Sequence, residues 1–196
     1  MGGRSKVPAR QIRSIHDEAT VTVYQAYSAS IALPALDAQT FVAPFKTDRM
    51  TWIKPSFLWM MYRCGWGTKP GQDHVLAIKI TRSGFEEALA SACLSHYDPE
   101  VYTSLEEWRA RKATSPVRVQ WDPERDVDLN PLPWRSLQVG LSGPAVHNYL
   151  HHWIVSIDDI TPYAHSLRHA TDPSRLPNEQ PYPLPGPVAR VIGATQ

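Results

Sequence analysis

Hydrophobic and polar positions alternate over Thr20–Tyr27 (TVTVYQAY), a run rich in β-branched and aromatic side chains. That period predicts a strand. Ser28 then opens the helix-like stretch SASIALPALDAQTF and is suited to cap it, although Pro34 must sit in its first turn or break it. Arg49–Ile53 reads as a short strand ended by Pro55. Ser56 caps a helix over Phe57–Arg63, which Gly65, Gly67 and the Lys69-Pro70-Gly71 turn close. Val75–Ile80 is a strand, and Thr81 or Ser83 caps a helix over Gly84–Leu94. Leu105–Lys112 is a further short helix. Val117–Trp121 and Leu137–Leu141 are strands, Pro144–His151 a short helix and Trp153–Ile157 the last strand. Ile160–His169 adds a helical turn or two.

Strands and helices in this order are short and do not alternate strictly. The pattern predicts an α+β single domain with a mainly antiparallel or split β-sheet and short helices, not a doubly wound parallel sheet. Neither a G-x-G-x-x-G string nor a Walker A string occurs, so the two commonest nucleotide folds lose their signatures. Residues 1–10 read as a flexible basic arm, and 11–170 as a single globular domain. Residues 171–196 hold six Pro with Tyr182 as the single aromatic, and read as an extended or disordered Pro-rich tail.

Composition changes this picture in two places. The 20 Lys and Arg against 19 Asp and Glu give a formal charge of +1, which removes a global electrostatic pull toward nucleic acid or membranes but leaves room for a local patch. Seven Trp and eight Tyr stand against four Phe. The first two types carry a polar N–H or O–H and stack readily on flat ligands. The basic N-terminus lacks an apolar run behind it, and no stretch is long enough to span a bilayer. Cys64 and Cys93 are therefore expected to be reduced and buried, and the chain cytoplasmic.

The aromatic excess concentrates in Asp48–Thr68, DRMTWIKPSFLWMMYRCGWGT. Trp52 and Lys54 lie two apart on one strand face. Ser56, Trp59 and Arg63 share one helix face. Cations, a capping hydroxyl, free helix N–H groups and indoles would suit a planar, phosphate-bearing ligand. The same residues equally suit a Trp-rich core with snorkelling Lys and Arg. Tyr24 and Ala26 face one way along the first strand, Gln25 and Tyr27 the other. His147/His151 and His165/His169 are i, i+4 pairs, but neither contains the Glu of H-E-x-x-H, and no metal centre is expected.

The strings RQIR (10–13), VYQAYS (23–28), DRMTWIKPSFLWMMYRCGWGTKPGQ (48–72) and VLAIKI (75–80) resemble a bacterial and fungal family, domain of unknown function 4291. QWDPERD (120–126), RSLQVGLSG (135–143) and WIVSIDDIT (153–161) continue the match. More weakly, YQAYSASIALPALDAQTF resembles the opening of the ADP-ribosyltransferase fold. That resemblance implies NAD as substrate. It implies Gln25, with Tyr24 beside it, at the nicotinamide riboside, and Ser56 before a helix walling the nicotinamide pocket. It puts Gln138 where that family carries a Glu, with Glu124 the nearest acid upstream. Gln can hydrogen-bond a hydroxyl but cannot act as a base. Arg49, Lys54 and Arg63 would supply cations, and Trp52, Trp59 and Tyr27 ring surfaces. The expected function is transfer of ADP-ribose from NAD to a macromolecular acceptor, nucleic acid or protein. The alternative is a non-catalytic module binding nucleotides or single-stranded nucleic acid.

Overall fold

The computed structural model describes residues 7–169 and 172–195. The elements run β1 (Arg13–Ser14), β2 (Thr20–Tyr27), α1 (Ala29–Ala38), β3 (Thr51–Ile53), α2 (Phe57–Cys64), β4 (His74–Thr81), α3 (Arg82–Ala90), β5 (Cys93–Leu94) and α4 (Leu105–Thr114). They continue with β6 (Val117–Arg125), β7 (Pro131–Leu141), α5 (Pro144–Asn148), a π-helical turn over Tyr149–Trp153, β8 (Ile154–Asp159) and α6 (Thr161–Leu167). A 3-10 turn over Pro173–Arg175, β9 (Gln180–Pro181) and α7 (Gly186–Ile192) complete the chain. The architecture is α+β, with the strands divided between sheets.

One sheet is antiparallel with order β2-β4-β8. A second, larger sheet has order β3-β7-β6-β5, antiparallel except for the β5–β6 pair, and β1 and β9 form a separate two-stranded sheet. The two larger sheets meet where β2 passes the end of β3. There Tyr24 N–H donates to the Lys54 carbonyl at 2.7 Å, and Lys54 N–H returns a bond to the Tyr24 carbonyl at 3.3 Å. A large apolar cluster contains Val23, Ile53, Leu76, Ile78, Phe85, Val119, Val139 and Tyr149. A smaller one gathers Tyr24, Phe57, Met60, Met61, Cys64, Trp66 and Val75 with Ala164 and Leu167 of α6. Both cysteines are buried and free.

Local signals explain the element ends. Ser56 accepts from Trp59 N–H at 3.2 Å and caps α2, whose far end stops at Gly65 in the left-handed region. Thr81 accepts from Gly84 N–H at 3.2 Å and caps α3. Ser28 has the extended backbone of a cap but its hydroxyl makes no capping bond, and Pro34 lies inside α1. Gly84 meets a steric demand, because a Cβ there would come within 2.3 Å of the Trp153 indole.

The C-terminal part differs from the expected tail. Pro181 pairs with Arg13 and Gln180 with Ser14. Tyr182, Leu184 and Ile192 are buried. The Tyr182 hydroxyl donates to Glu86 at 2.7 Å and accepts from Arg82 at 3.1 Å. Trp121 Nε1 donates to the Ile192 carbonyl at 2.7 Å. Proline density made this stretch read as coreless. Its prolines instead occupy turns, the edge pair and the first turn of α7, where no ladder donor is lost. The apolar residues between them reach the core. The expected arm falls partly outside the described residues, at Arg4 and Lys6. Arg10 is held by Asp98 at 2.6 Å and by hydrogen bonds to Thr195.

The same C-terminal segment sends Glu179 to the start of α2, where its carboxyl accepts from Phe57 N–H at 2.6 Å. Burial pushes the Glu179 carboxyl up to about 8 against the pull of that N–H, and the Glu124 carboxyl adds to the rise. The folded state therefore holds a proton that the unfolded chain releases. Stability should fall as the pH rises from about 5 through about 8, and Glu179→Gln should flatten that slope in urea melts. Gly84→Ala should destabilise by about 1–3 kcal/mol in the same assay, because the added methyl would force the Trp153 ring to shift.

Candidate functional site

Where the two sheets meet, the chain leaves an open cleft of about 620 Å³. Its walls come from β2, from the segment leading into β3, from β3 itself, from α2 and from the middle of β6 and β7. Eight of the ten residues singled out from sequence line it. These are Gln25 and Tyr27 on β2, Arg49 before β3, Trp52 and Lys54 at β3, Trp59 and Arg63 on α2, and Gln138 on β7. Tyr24 and Ser56 do not.

Strand alternation accounts for Tyr24. It faces away from Gln25, is 2% exposed and packs edge-on against Phe57 at 5.6 Å between ring centres. Ser56 stands behind the wall. Its hydroxyl donates to Glu124 at 2.9 Å while capping α2. Glu124 is itself buried, and burial raises its carboxyl above the ordinary value.

Lys54 gives the cleft its charge. The residue is 7% exposed, and its ammonium donates to the Trp52 carbonyl at 3.3 Å. It takes part in no salt bridge among the described residues. Burial, then the neighbouring Arg63, lowers its pKa to about 8. The Asp122 carboxylate on the same cleft pulls the other way without reaching ion-pair distance, and a ligand's negative charge would offset more of the cost of burying the cation. Exposed Arg49, Arg63 and Lys46 add positive charge around it.

The two tryptophans differ. Trp52 is partly exposed and lies over Gly140 of β7, where a Cβ would come within 3.0 Å of the indole and 2.5 Å of Met50 Sδ. Trp59 is 4% exposed and stacks on Tyr62 at 5.2 Å. The guanidinium of Arg125 lies 3.6 Å from the Tyr62 ring centre, so this stack continues into a cation–π contact. Among the described residues the indole N–H of Trp59 is buried with no hydrogen-bond partner.

Gln25 is 3% exposed and fully engaged. Its amide nitrogen donates to Thr51 Oγ1 at 2.7 Å and to Tyr27 OH at 2.9 Å, while its oxygen accepts from Tyr149 OH at 2.8 Å. Tyr149 starts the π turn. Both amide hydrogens are therefore spent within the protein. Gln25 fixes Tyr27 and Thr51 on the wall and has no N–H left for a ligand.

Sequence reasoning passed over Asp122 and Gln120. Both line the cleft from β6. Gln120 Nε2 donates to Asp122 Oδ1 at 2.8 Å, and Gln138 Nε2 donates to Asp122 Oδ2 at 2.7 Å. The signal was the two-residue step from Gln120 to Asp122 within VRVQWDPER, with Gln138 directly opposite Gln120 across the ladder. Among the described residues no three His, Cys, Asp or Glu side chains come together to hold a metal ion, and the His147 and His151 rings lie 4.5 Å apart without such company. No described helix is long and apolar enough to cross a membrane.

No curated protein matches the sequence. A family model described as a domain of unknown function (DUF4291) matches residues 11–182. That span takes in both sheets, every cleft residue and Glu179. The chain therefore belongs to the DUF4291 family.

Proposed function

We propose that the cleft binds NAD and that the protein is an ADP-ribosyltransferase-like enzyme acting on a macromolecular acceptor, nucleic acid or protein. One observation carries the reading: the buried Lys54 ammonium makes no salt bridge among the described residues, and it lines one cleft with Arg63, Arg49 and Trp52. A pyrophosphate answers the cations, and a flat ring answers the indole. The passage from β2 into α1 and then into β3 and α2 supports an ADP-ribosyltransferase-like fold.

In the reaction the bond between the ribose C1′ and the nicotinamide nitrogen breaks. Its electron pair leaves with nicotinamide, which departs neutral. The acceptor's lone pair forms the new bond to C1′, and the acceptor's proton is released. Charge develops on the ribose as the bond breaks, so holding pyrophosphate and sugar still is the protein's main contribution. Arg49, Lys54 and Arg63 serve the pyrophosphate. Trp52 and the wall containing Tyr27 and Trp59 serve the rings. Gln25 acts as a positioning residue through Tyr27 and Thr51, and Ser56 as the cap that sets α2.

A non-catalytic nucleotide or single-stranded nucleic-acid module is the second reading. The commitment of Gln25 and Ser56 inside the protein favours it, because two of the three residues expected to act on substrate have their donors spent within the protein. Incubation with NAD and cell extract separates the two. Free nicotinamide together with labelled acceptor supports the enzyme. Nucleotide binding by calorimetry without turnover supports the module, and absence of any nucleotide binding ends both.

Lys54→Ala should weaken nucleotide binding about 10- to 100-fold, as loss of a desolvated charge contact does. The ammonium is charged below its pKa of about 8 and neutral above it. Affinity should therefore decline as the pH rises from 7 to 9, and calorimetry on Lys54→Ala should lose that decline.

A further inference from the structure

We propose that Asp122, clamped by Gln120 and Gln138, is a sugar-hydroxyl site that restricts the cleft to ribonucleotides over deoxyribonucleotides. The inference rests on the nucleotide reading above and names the part of the ligand that the opposite wall recognises.

Asp122 is the one acidic side chain on a cleft that also carries Lys46, Arg49, Lys54 and Arg63 among the described residues. It forms no salt bridge with any of them. Its two oxygens are held separately, Oδ1 by the amide of Gln120 and Oδ2 by the amide of Gln138, at 2.8 and 2.7 Å. These neighbours stand on paired strands, Gln120 directly opposite Gln138, so the backbone ladder fixes the carboxylate's orientation. An ionised carboxylate has about four acceptor positions, and two amide bonds leave about two. A ligand phosphate would be repelled here. The ligand atoms that gain are hydrogen-bond donors.

The cations demand an anion, and the carboxylate demands donors in the same molecule. A ribonucleotide meets both needs: phosphate at one end, a vicinal diol next to it, one hydroxyl for each carboxylate oxygen. A deoxyribonucleotide offers one hydroxyl fewer. It leaves a carboxylate acceptor desolvated and unpaired, the kind of mismatch that polar sites discriminate most strongly. Gln120 and Gln138 each keep a carbonyl oxygen and one N–H beyond the clamp, so the pocket floor stays polar around the diol.

Calorimetric titrations of the full chain test this with two probe pairs: ADP against 2′-deoxy-ADP, and nicotinamide mononucleotide against its 2′-deoxy counterpart. The expected result is that at least one ribose form binds about 10- to 100-fold more tightly than its deoxy partner. Asp122→Asn keeps the shape but turns half of the acceptor into a donor, and should erase most of that ratio. Gln138→Met, which frees one oxygen of the clamp, should lower the ratio in part. The wild-type ratio needs no variant, and thermal melts show whether each variant is folded. Equal affinity within both pairs overturns the assignment, as does a ratio that survives Asp122→Asn, and in either case nucleotide binding itself still stands. Failure of every probe to bind overturns the nucleotide reading with it.

Discussion

Two backbone hydrogen bonds between Tyr24 and Lys54 hold the molecule's halves in relation to each other. They join sheets that share no other strand pairing among the described residues, and they do so at one residue from each. A reciprocal bridge fixes both position and direction. It also fixes side chains, since neighbours along a strand point to opposite faces. Tyr24 is thereby turned into the smaller core and Gln25 toward the cleft. The Lys54 side chain is committed to the seam, where water is largely excluded. The charge that defines the cleft follows from a constraint on the main chain.

That constraint orders the polar groups around it. Gln25 is held at three points by Tyr27, Thr51 and Tyr149, from three different parts of the chain. Asp122 is held at two points by amides from adjacent strands. Both groups are already oriented by the protein itself, so a ligand would not have to order them. By contrast, Arg49, Arg63 and Lys46 are exposed side chains. The cleft thus combines an internally hydrogen-bonded polar floor with an exposed basic rim. The held floor suits discrimination and the charged rim suits capture.

Much of this was legible in the sequence. The strand at Thr20–Tyr27 and the helix capped by Ser56 appear as the hydrophobic period and cap rules predict. Alternation along β2 correctly separated Tyr24 from Gln25 and Tyr27. The convergence of Trp52, Lys54, Trp59 and Arg63 followed from their closeness in the chain. What escaped was long-range. Nothing local says that Ser56 meets Glu124, 68 residues away, and so turns inward. Asp122 and Gln120 looked like ordinary alternating polar residues, because their partner lies across a ladder. The C-terminal segment misled most. Proline count alone reads as missing core, yet Tyr182, Leu184 and Ile192 between the prolines are buried. Composition averages over a window, whereas burial depends on the few side chains that reach inward.

The contact between Glu179 and the first N–H of α2 has a bearing on biosynthesis. A ribosome delivers the N-terminal strands and the basic rim long before the segment that seats them. Until residues 179–182 have emerged, β1 lacks its strand partner, α2 lacks the Glu179 acceptor at its start, and the Tyr182 position among Arg82, Glu86 and Phe85 is vacant. Contacts spanning about a hundred residues or more cannot form early. The wall that α2 lends to the cleft therefore gains its Glu179 contact only late in synthesis.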